Sequence, residues 1–138
     1  MTAGISYVAA LGRLLIAVIF LVSGVAKILA PEMTLAYFAP GRLPAALVDL
    51  LVSIAIAIEL GGGILLVLGF LARPVAVVMA IFCVATAAGF HHDLADQNQL
   101  IHFLKNIAMA GGFLQIVAFG AGALSLDALP SIQSLIGE

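Results

Sequence analysis

The residue with the clearest chemical consequence is Glu59, which lies in the middle of a long apolar run. An unpaired carboxylate in such surroundings is costly, so Glu59 must either face a partner inside the fold or carry a proton. Two cations are candidates for that partner, Arg13 in the first apolar run and Lys105 in the last. The spacing permits both pairs. It also leaves open whether the group fixes helix register or forms a pocket for a headgroup, an anion or a proton-coupled ligand.

A second polar group shares one face of a helix. His102, Lys105 and Asn106 are separated by three and four residues, so a helix presents them together. Lys105 alone could snorkel to the membrane surface, but Asn106 beside it would then be unexplained. We therefore expect this face to point inward, with Lys27 and His102 at the mouth of the same site.

Other chemistries have weaker support. Cys83 is the only cysteine, which excludes an internal disulfide and a CxxC redox pair. No histidine lies deep enough in a span for a bis-histidine haem. The glycine clusters at 61–63 and 111–112 are expected to let helices approach closely. We predict no metal site, because the remaining candidate ligands match no established metal motif: His91, His92, Asp93, Asp96 and His102.

The composition requires that these side chains be held by a membrane-embedded fold. Of 138 residues, 64% are hydrophobic and 9% are charged, whereas a soluble domain has roughly 25% charged residues. A helix needs about 20 apolar residues to cross a bilayer. Four such spans are predicted, at residues 7–30, 46–71, 75–92 and 100–120, which leaves no room for a separate soluble catalytic domain. The net charge of -2 and the lack of a basic run argue against nucleic acid as a partner.

The segments outside the spans are predicted to lie at the membrane surface. Residues 31–44 combine aromatic, turn-forming and charged residues and are expected to form an interfacial loop. Residues 125–138 are expected to form a short amphipathic helix, capped by Ser125, which Pro130 could break. Residues 23–26 imitate a signal-peptide cleavage site, but we expect the first run to be retained as a span.

Orientation is weakly encoded. With four spans both termini lie on one side, and the positive-inside rule is nearly balanced, with a slight preference for cytoplasmic termini. In either orientation the end of the first span, the start of the second, the end of the third and the start of the fourth meet the same membrane face. That face collects Lys27, His91, His92, His102, Lys105 and Asn106.

Four short groups of residues occur in order along nearly the whole chain: Arg13 with Phe20, Ser23, Gly24 and Lys27; Glu59 to Gly62 with Leu68 and Gly69; Lys105 and Asn106 with Gly111 and Gly112; and Gly120 to Gly122 before Ser125, Leu126 and Asp127. Together they resemble the DoxX family of small four-helix bacterial membrane proteins. Ala121 stands where the family usually has proline, a departure that affects only a turn. The resemblance implies a multi-pass protein of the bacterial inner membrane. The family takes its name from a subunit associated with a quinol oxidase and thiosulfate:quinone oxidoreductase, and some members are linked to oxidative-stress complexes.

We therefore predict a single-domain, all-α, four-helix transmembrane bundle. The leading functional hypothesis is an accessory subunit of a quinone- or lipid-linked membrane redox system, which would need a bound quinone and a partner redox enzyme to carry electrons. The alternatives are a non-catalytic scaffold that assembles through small-residue helix faces, as a homo-oligomer or with another protein, and a small-solute transporter. The interior site is predicted to consist of Glu59, Lys105, Asn106 and Arg13, with Lys27 and His102 at its mouth.

Overall fold

The computed structural model describes residues 3–36, 38 and 43–136, and within them the chain is helical with no strand. The helices are α1 (Ala3–Leu29), α2 (Pro31–Leu35), α3 (Ala45–Leu68), α4 (Ala72–Phe90), α5 (Gln97–Phe119) and α6 (Pro130–Ile136), with one 3-10 turn at Leu126–Ala128. Four of them, α1, α3, α4 and α5, are long and apolar enough to cross a membrane. The prediction of an all-α fold with four spans is confirmed.

The outer surface of the four long helices is apolar. Large side chains such as Leu15, Ile81 and Leu114 are more than half exposed, and other exposed apolar side chains occur along each of the four long helices. A monomeric soluble protein rarely exposes apolar surface on this scale. Lipid is the solvent that this surface requires, because the helices are hydrophobic nearly all round.

The bundle is built from two helix pairs. α1 packs antiparallel on α3, α5 packs antiparallel on α4, and α3 and α4 join the pairs. Phe113, Leu66 and Met79 are fully buried between the helices. The rings of Phe20 and Phe113, with centroids 5.4 Å apart, form a contact between α1 and α5, so each long helix packs against two others.

Glycines allow close packing in the α1–α3 and α3–α4 contacts. A Cβ atom at Gly24 would lie 2.7 Å from Cγ of Leu60, and one at Gly63 would lie 2.7 Å from Cδ2 of Leu21. The leucine side chains of one helix therefore pack directly on the glycine backbone of the other. Gly62 does the same for α3 and α4, where a Cβ would lie 2.5 Å from Sδ of Met79.

The prediction for the glycine clusters is confirmed for three members, whereas the other two make no close approach within the described chain. Gly62, Gly63 and Gly112 lie at close approaches, and a Cβ at Gly112 would lie 3.0 Å from Cδ1 of Ile16 on α1. Gly61 and Gly111 have nothing within 4 Å of that position. Adjacent glycines point about 100° apart on a helix, so a cluster cannot face one neighbour as a whole.

The two ends of the bundle differ. At what we call the closed end, comprising the turn at residues 69–71 and residues 120–127, hydrogen bonds tie the tail to the bundle. The Asp127 carboxylate accepts from the backbone N–H groups of Leu71 (2.7 Å) and Ala72 (2.8 Å), and the Asp127 N–H donates to the Gly69 carbonyl (2.9 Å). Asp127 thereby satisfies free donors at the start of α4. At the open end, formed by the ends of α1 and α4 and the starts of α3 and α5, α2 lies beside the bundle.

Several boundaries differ from those expected. α3 ends at Leu68 because Gly69 adopts a left-handed conformation (φ 64°), and α4 ends at Phe90, which leaves His91 outside the helix. The segment after α1 begins with a short helix rather than only a loop, and its residues 37 and 39–42 lie outside those described.

The tail departs from the predicted cap. Ser125 does not cap a helix, since its hydroxyl donates back to the Gly122 carbonyl at 2.6 Å. Pro130 begins α6 instead of breaking it, because a first helical position needs no N–H donor.

Substitution of Gly24 by alanine should separate α1 from α3. The added methyl group would overlap Leu60 and approach Cβ of Glu59 at 3.3 Å, and overpacking of this kind typically costs about 1–3 kcal/mol. Gly12→Ala is the matched control on the same helix, because nothing lies within 4 Å of that position. Thermal unfolding in detergent should show a lower Tm for Gly24→Ala and an equal or higher Tm for Gly12→Ala. Equal melting of Gly24→Ala and wild type would contradict the close approach.

Candidate functional site

The central polar contact joins the last turns of α1 to the middle of α3. The Lys27 ammonium lies 2.8 Å from Oε2 and 2.9 Å from Oε1 of Glu59, and it also donates to Oγ of Ser23 at 2.7 Å. Ser23 in turn donates to Oε1 of Glu59 at 3.2 Å. Ser23 and Lys27 are one helical turn apart, so both reach the same carboxylate. We call Ser23, Lys27 and Glu59 the polar triad.

The expected partners of Glu59 are wrong: neither Arg13 nor Lys105 pairs with it, and Lys27 does. The sequence places Lys27 at the mouth of the site because it lies near the end of the first span. However, α3 extends past the end of α1 at the open end, so Lys27 lies opposite residues well inside α3. The close approach of Gly24 to Leu60 sets this register and places Lys27, three residues further on, beside Glu59.

Arg13 lies at the closed end and is not part of this group. Its guanidinium donates to the carbonyl oxygen of Leu66 at 2.6 Å and to that of Leu124 at 2.5 Å. The Leu66 carbonyl belongs to the last turn of α3, where carbonyl groups lack helical partners. Arg13 is 3% exposed, and it clamps α3 to the segment that follows α5.

A cavity of about 500 Å³ occupies the open half of the bundle, between all four long helices and α2. The triad forms part of its wall, together with Asn106, Thr86 and His91. The remaining wall is largely apolar and includes four aromatic rings. An apolar pocket of this size with a few convergent polar groups is typical of ligand sites. The apolar lining consists of Ile19, Phe20, Phe38, Leu51, Val52, Ile54, Ala55, Phe82, Ala85, Phe90 and Met109.

Of the three polar residues predicted to share the inward face of α5, only Asn106 lines the cavity. Lys105 and His102 are exposed and contribute nothing to its wall. The inward face of α5 is set by Ala110 and Phe113, which are buried. Lys105 precedes Asn106 by one residue, which turns it about 100° away from that face. Spacing of three and four residues defines an arc of the helix surface, and here only part of the arc faces inward.

Two histidines meet at the mouth of the cavity. The rings of His91 and His102 are stacked, with centroids 5.0 Å apart and an interplanar angle of 21°. Burial, and then the charge of His102, lower the pKa of the His91 imidazole below its usual value. His91 therefore stays neutral at a pH where a free histidine begins to take up a proton.

The groups that can bind a ligand in the cavity are found by counting the donors and acceptors that already have partners. All three N–H groups of Lys27 are used within the triad, whereas the Glu59 carboxylate, with about four acceptor positions, accepts three bonds. The Asn106 amide donates one N–H to the His102 carbonyl at 3.0 Å, which leaves its second N–H and its oxygen. Beside an ion pair with no net charge, the cavity thus offers one carboxylate acceptor and one amide, together with the hydroxyls of Thr34 and Thr86 and the His91 ring.

Comparisons with known proteins agree with this architecture. A family model described as DoxX matches residues 8–92, which include the whole triad. Two curated relatives from Escherichia coli (strain K12) are similar over most of their length: inner membrane protein YphA, with 36% identity over 85% of this chain and 86% of the relative, and inner membrane protein YqjF, with 34% identity over 85% and 87%. No solved structure matches.

The triad makes a double-mutant prediction. Lys27→Met leaves the buried Glu59 carboxylate without its cation, and breaking a buried pair in this way typically costs roughly 3–5 kcal/mol. Combining Lys27→Met with Glu59→Gln removes both charges and should recover much of the lost stability. Thermal unfolding of the single and double variants in detergent measures the coupling. If the double variant melts as low as the sum of the single effects requires, the two side chains are not coupled.

Proposed function

This chain belongs to the DoxX family, and on that premise we propose that it is an accessory subunit of a quinone-linked redox system in the bacterial inner membrane, with the cavity at the open end as the site for the quinone head. The inner membrane is the location named for both relatives. The observation that carries the proposal is the cavity itself, which joins apolar, partly aromatic walls to the neutral polar triad.

The shape of the cavity suits a ring with a tail. Its volume of about 500 Å³ lies within the range of sites for small amphiphiles. Phe20, Phe82 and Phe90 provide flat apolar surface for a ring. Ile19 and Ile54 line the cavity yet are 51% and 46% exposed. Because they contact both the cavity and the lipid-facing surface, a ligand held there could keep its tail among the acyl chains.

The charge balance favours an uncharged head over a lipid phosphate. The Lys27 ammonium is already neutralised by Glu59 and has no N–H left for a ligand. A phosphate inside the cavity would be a buried anion without a cation, which is costly. A quinone ring carries no charge, and its carbonyl oxygen can accept the remaining N–H of Asn106. In the reduced form, a ring hydroxyl can donate to the spare acceptor position of Glu59.

Catalysis of electron transfer would involve a partner. The lysine, carboxylate, amide and phenyl side chains that face the cavity have no accessible redox couple of their own, so a bound quinone would carry the electrons. In this proposal the protein binds and orients the ring, holds a proton acceptor at Glu59, and presents the quinone to a partner redox enzyme.

A scaffold role is the second candidate. Gly61 and Gly111 lie in membrane-spanning helices, and no atom of a neighbouring helix lies within 4 Å of the place where a Cβ would be. Small residues on such surfaces let another helix approach closely. This observation favours assembly with a second chain, and it is compatible with an empty cavity.

Filling the cavity tests the proposal. Ala55 lines the cavity, so Ala55→Phe should occupy the space for the ring. Ala57, two residues away on α3, is exposed and lies outside the lining, so Ala57→Phe is the matched control. We expect quinone to be extracted from the purified wild type and from Ala57→Phe in near-stoichiometric amount, and the amount to fall at least about tenfold in Ala55→Phe. Mass spectrometry of the extracts measures this.

The same extracts decide against the proposal in two cases. If Ala55→Phe retains as much quinone as Ala57→Phe, the quinone lies elsewhere. If wild type carries only the bulk lipids found in every variant while all of them melt alike, the scaffold role is favoured.

A further inference from the structure

Lys105 is a cation in a membrane span without a protein partner. It is exposed, and no hydrogen bond or ion pair joins it to the described residues. α5 begins at Gln97, so Lys105 lies about 12 Å along the helix from that end. A charge at this depth is costly unless it reaches an interface or an anion. The described part of the chain does not supply that anion.

The direction of the side chain points to the source of the anion. Side chains of an α-helix lean toward its N-terminus, and the N-terminus of α5 is at the open end. The flexible stem of Lys105 therefore leads its ammonium toward the nearer membrane surface rather than deeper into hydrocarbon. His102, also exposed, lies one turn closer to that surface. The two residues together present polar donors on the part of α5 that is nearer to that surface.

The nearby carboxylates have other roles. Asp96 caps α5 by accepting from the Gln99 N–H at 2.8 Å. Asp93 accepts from the Ala95 N–H at 3.2 Å within the preceding turn. Neither is paired with Lys105, so the cationic charge on this part of α5 is uncompensated within the described part of the chain.

The surface around Lys105 is suited to an acyl chain. Ile101 and Leu104 are 42% and 53% exposed beside it. Gly112, seven residues further on and on the same side of the helix, approaches Ile16 of α1. Lys105 therefore lies on the side of α5 that turns toward α1, along what we call the α1–α5 seam. The seam is closed at Gly112, and nearer the open end the two helices stand on opposite walls of the cavity.

We propose that Lys105 and His102 bind the phosphate of an anionic phospholipid whose acyl chain lies against the α1–α5 seam. A lipid is the source of the phosphate because the site is within the span, where a soluble anion would have to leave water. Neither Lys105 nor His102 lines the cavity, although His102 stacks on His91 at its mouth. The lipid site does not depend on whether the cavity binds quinone.

The experiment compares two lipids that differ in headgroup charge. Purified full-length protein in detergent is titrated with phosphatidylglycerol or phosphatidylcholine of identical acyl chains, and bound lipid is counted by native mass spectrometry. We expect at least about fivefold tighter binding of phosphatidylglycerol to wild type and to Lys105→Arg. Lys105→Gln should bind the two lipids equally. Inorganic phosphate at the concentration of the lipid should not displace phosphatidylglycerol.

A pair of histidine variants provides an independent readout that leaves Lys105 in place. His102→Gln should weaken the preference for phosphatidylglycerol, whereas His92→Gln, in the exposed turn after α4, should not. Equal binding of both lipids by wild type, full preference in a folded Lys105→Gln, equal effects of the two histidine variants, or displacement by inorganic phosphate would each overturn the proposal. Quinone content, measured on the same samples, should be unchanged in Lys105→Gln, so failure here and failure of the cavity proposal are distinguishable.

Discussion

The cost of holding the Glu59 carboxylate inside a membrane constrains the whole bundle. Glu59 is 5% exposed, so its cation must lie within direct contact, and Lys27 can reach it only in one register of α1 on α3. Gly24 permits that register, because any side chain there would overlap Leu60. Close packing and charge pairing thus require the same alignment of the two helices. Agreement between independent local demands is what allows a sequence to specify one structure.

The two ends of the bundle differ because their polar side chains form different hydrogen bonds. At the closed end, Arg13 joins the last turn of α3 to Leu124, and Asp127 bonds backbone groups of the α3–α4 turn, so together they fasten the tail to the bundle. Backbone groups left unpaired near hydrocarbon would be costly, so these side chains serve the fold. At the open end, Asn106 keeps unused hydrogen-bonding groups beside the triad. Free polar capacity with room around it is what a binding site needs, and the cavity at the open end has both.

The fold could be read from the sequence more completely than the site. Composition and the length of the apolar runs are enough to predict four spans, because lipid leaves a helical chain few other solutions. The importance of Glu59 also follows from its position alone. The identity of its partner does not follow from the sequence, because pairing depends on the relative register of α1 and α3. Hydropathy predicts where each span lies along the chain but not how far α3 extends past the end of α1. Asn106 was correctly placed in the interior, whereas Lys105 was not, since a three-to-four-residue spacing spans about 100° of helix surface and cannot locate the inward edge.

The two lysines at the open end differ in what surrounds them, and this difference bears on selectivity. Lys27 is neutralised by Glu59, so the cavity attracts no anion, while Lys105 on the outside has no ion-pair partner among the described residues. Phospholipids greatly outnumber any minor amphiphile in a membrane, and a cationic cavity would be filled by their phosphates. With the free cation placed outside, an anionic headgroup gains more at the α1–α5 seam than in the cavity. An uncharged ring has the opposite preference, because it gains little from Lys105 and can use the aromatic walls and the Asn106 amide. If both proposals hold, the separation of the two charges keeps the cavity available to an uncharged ligand.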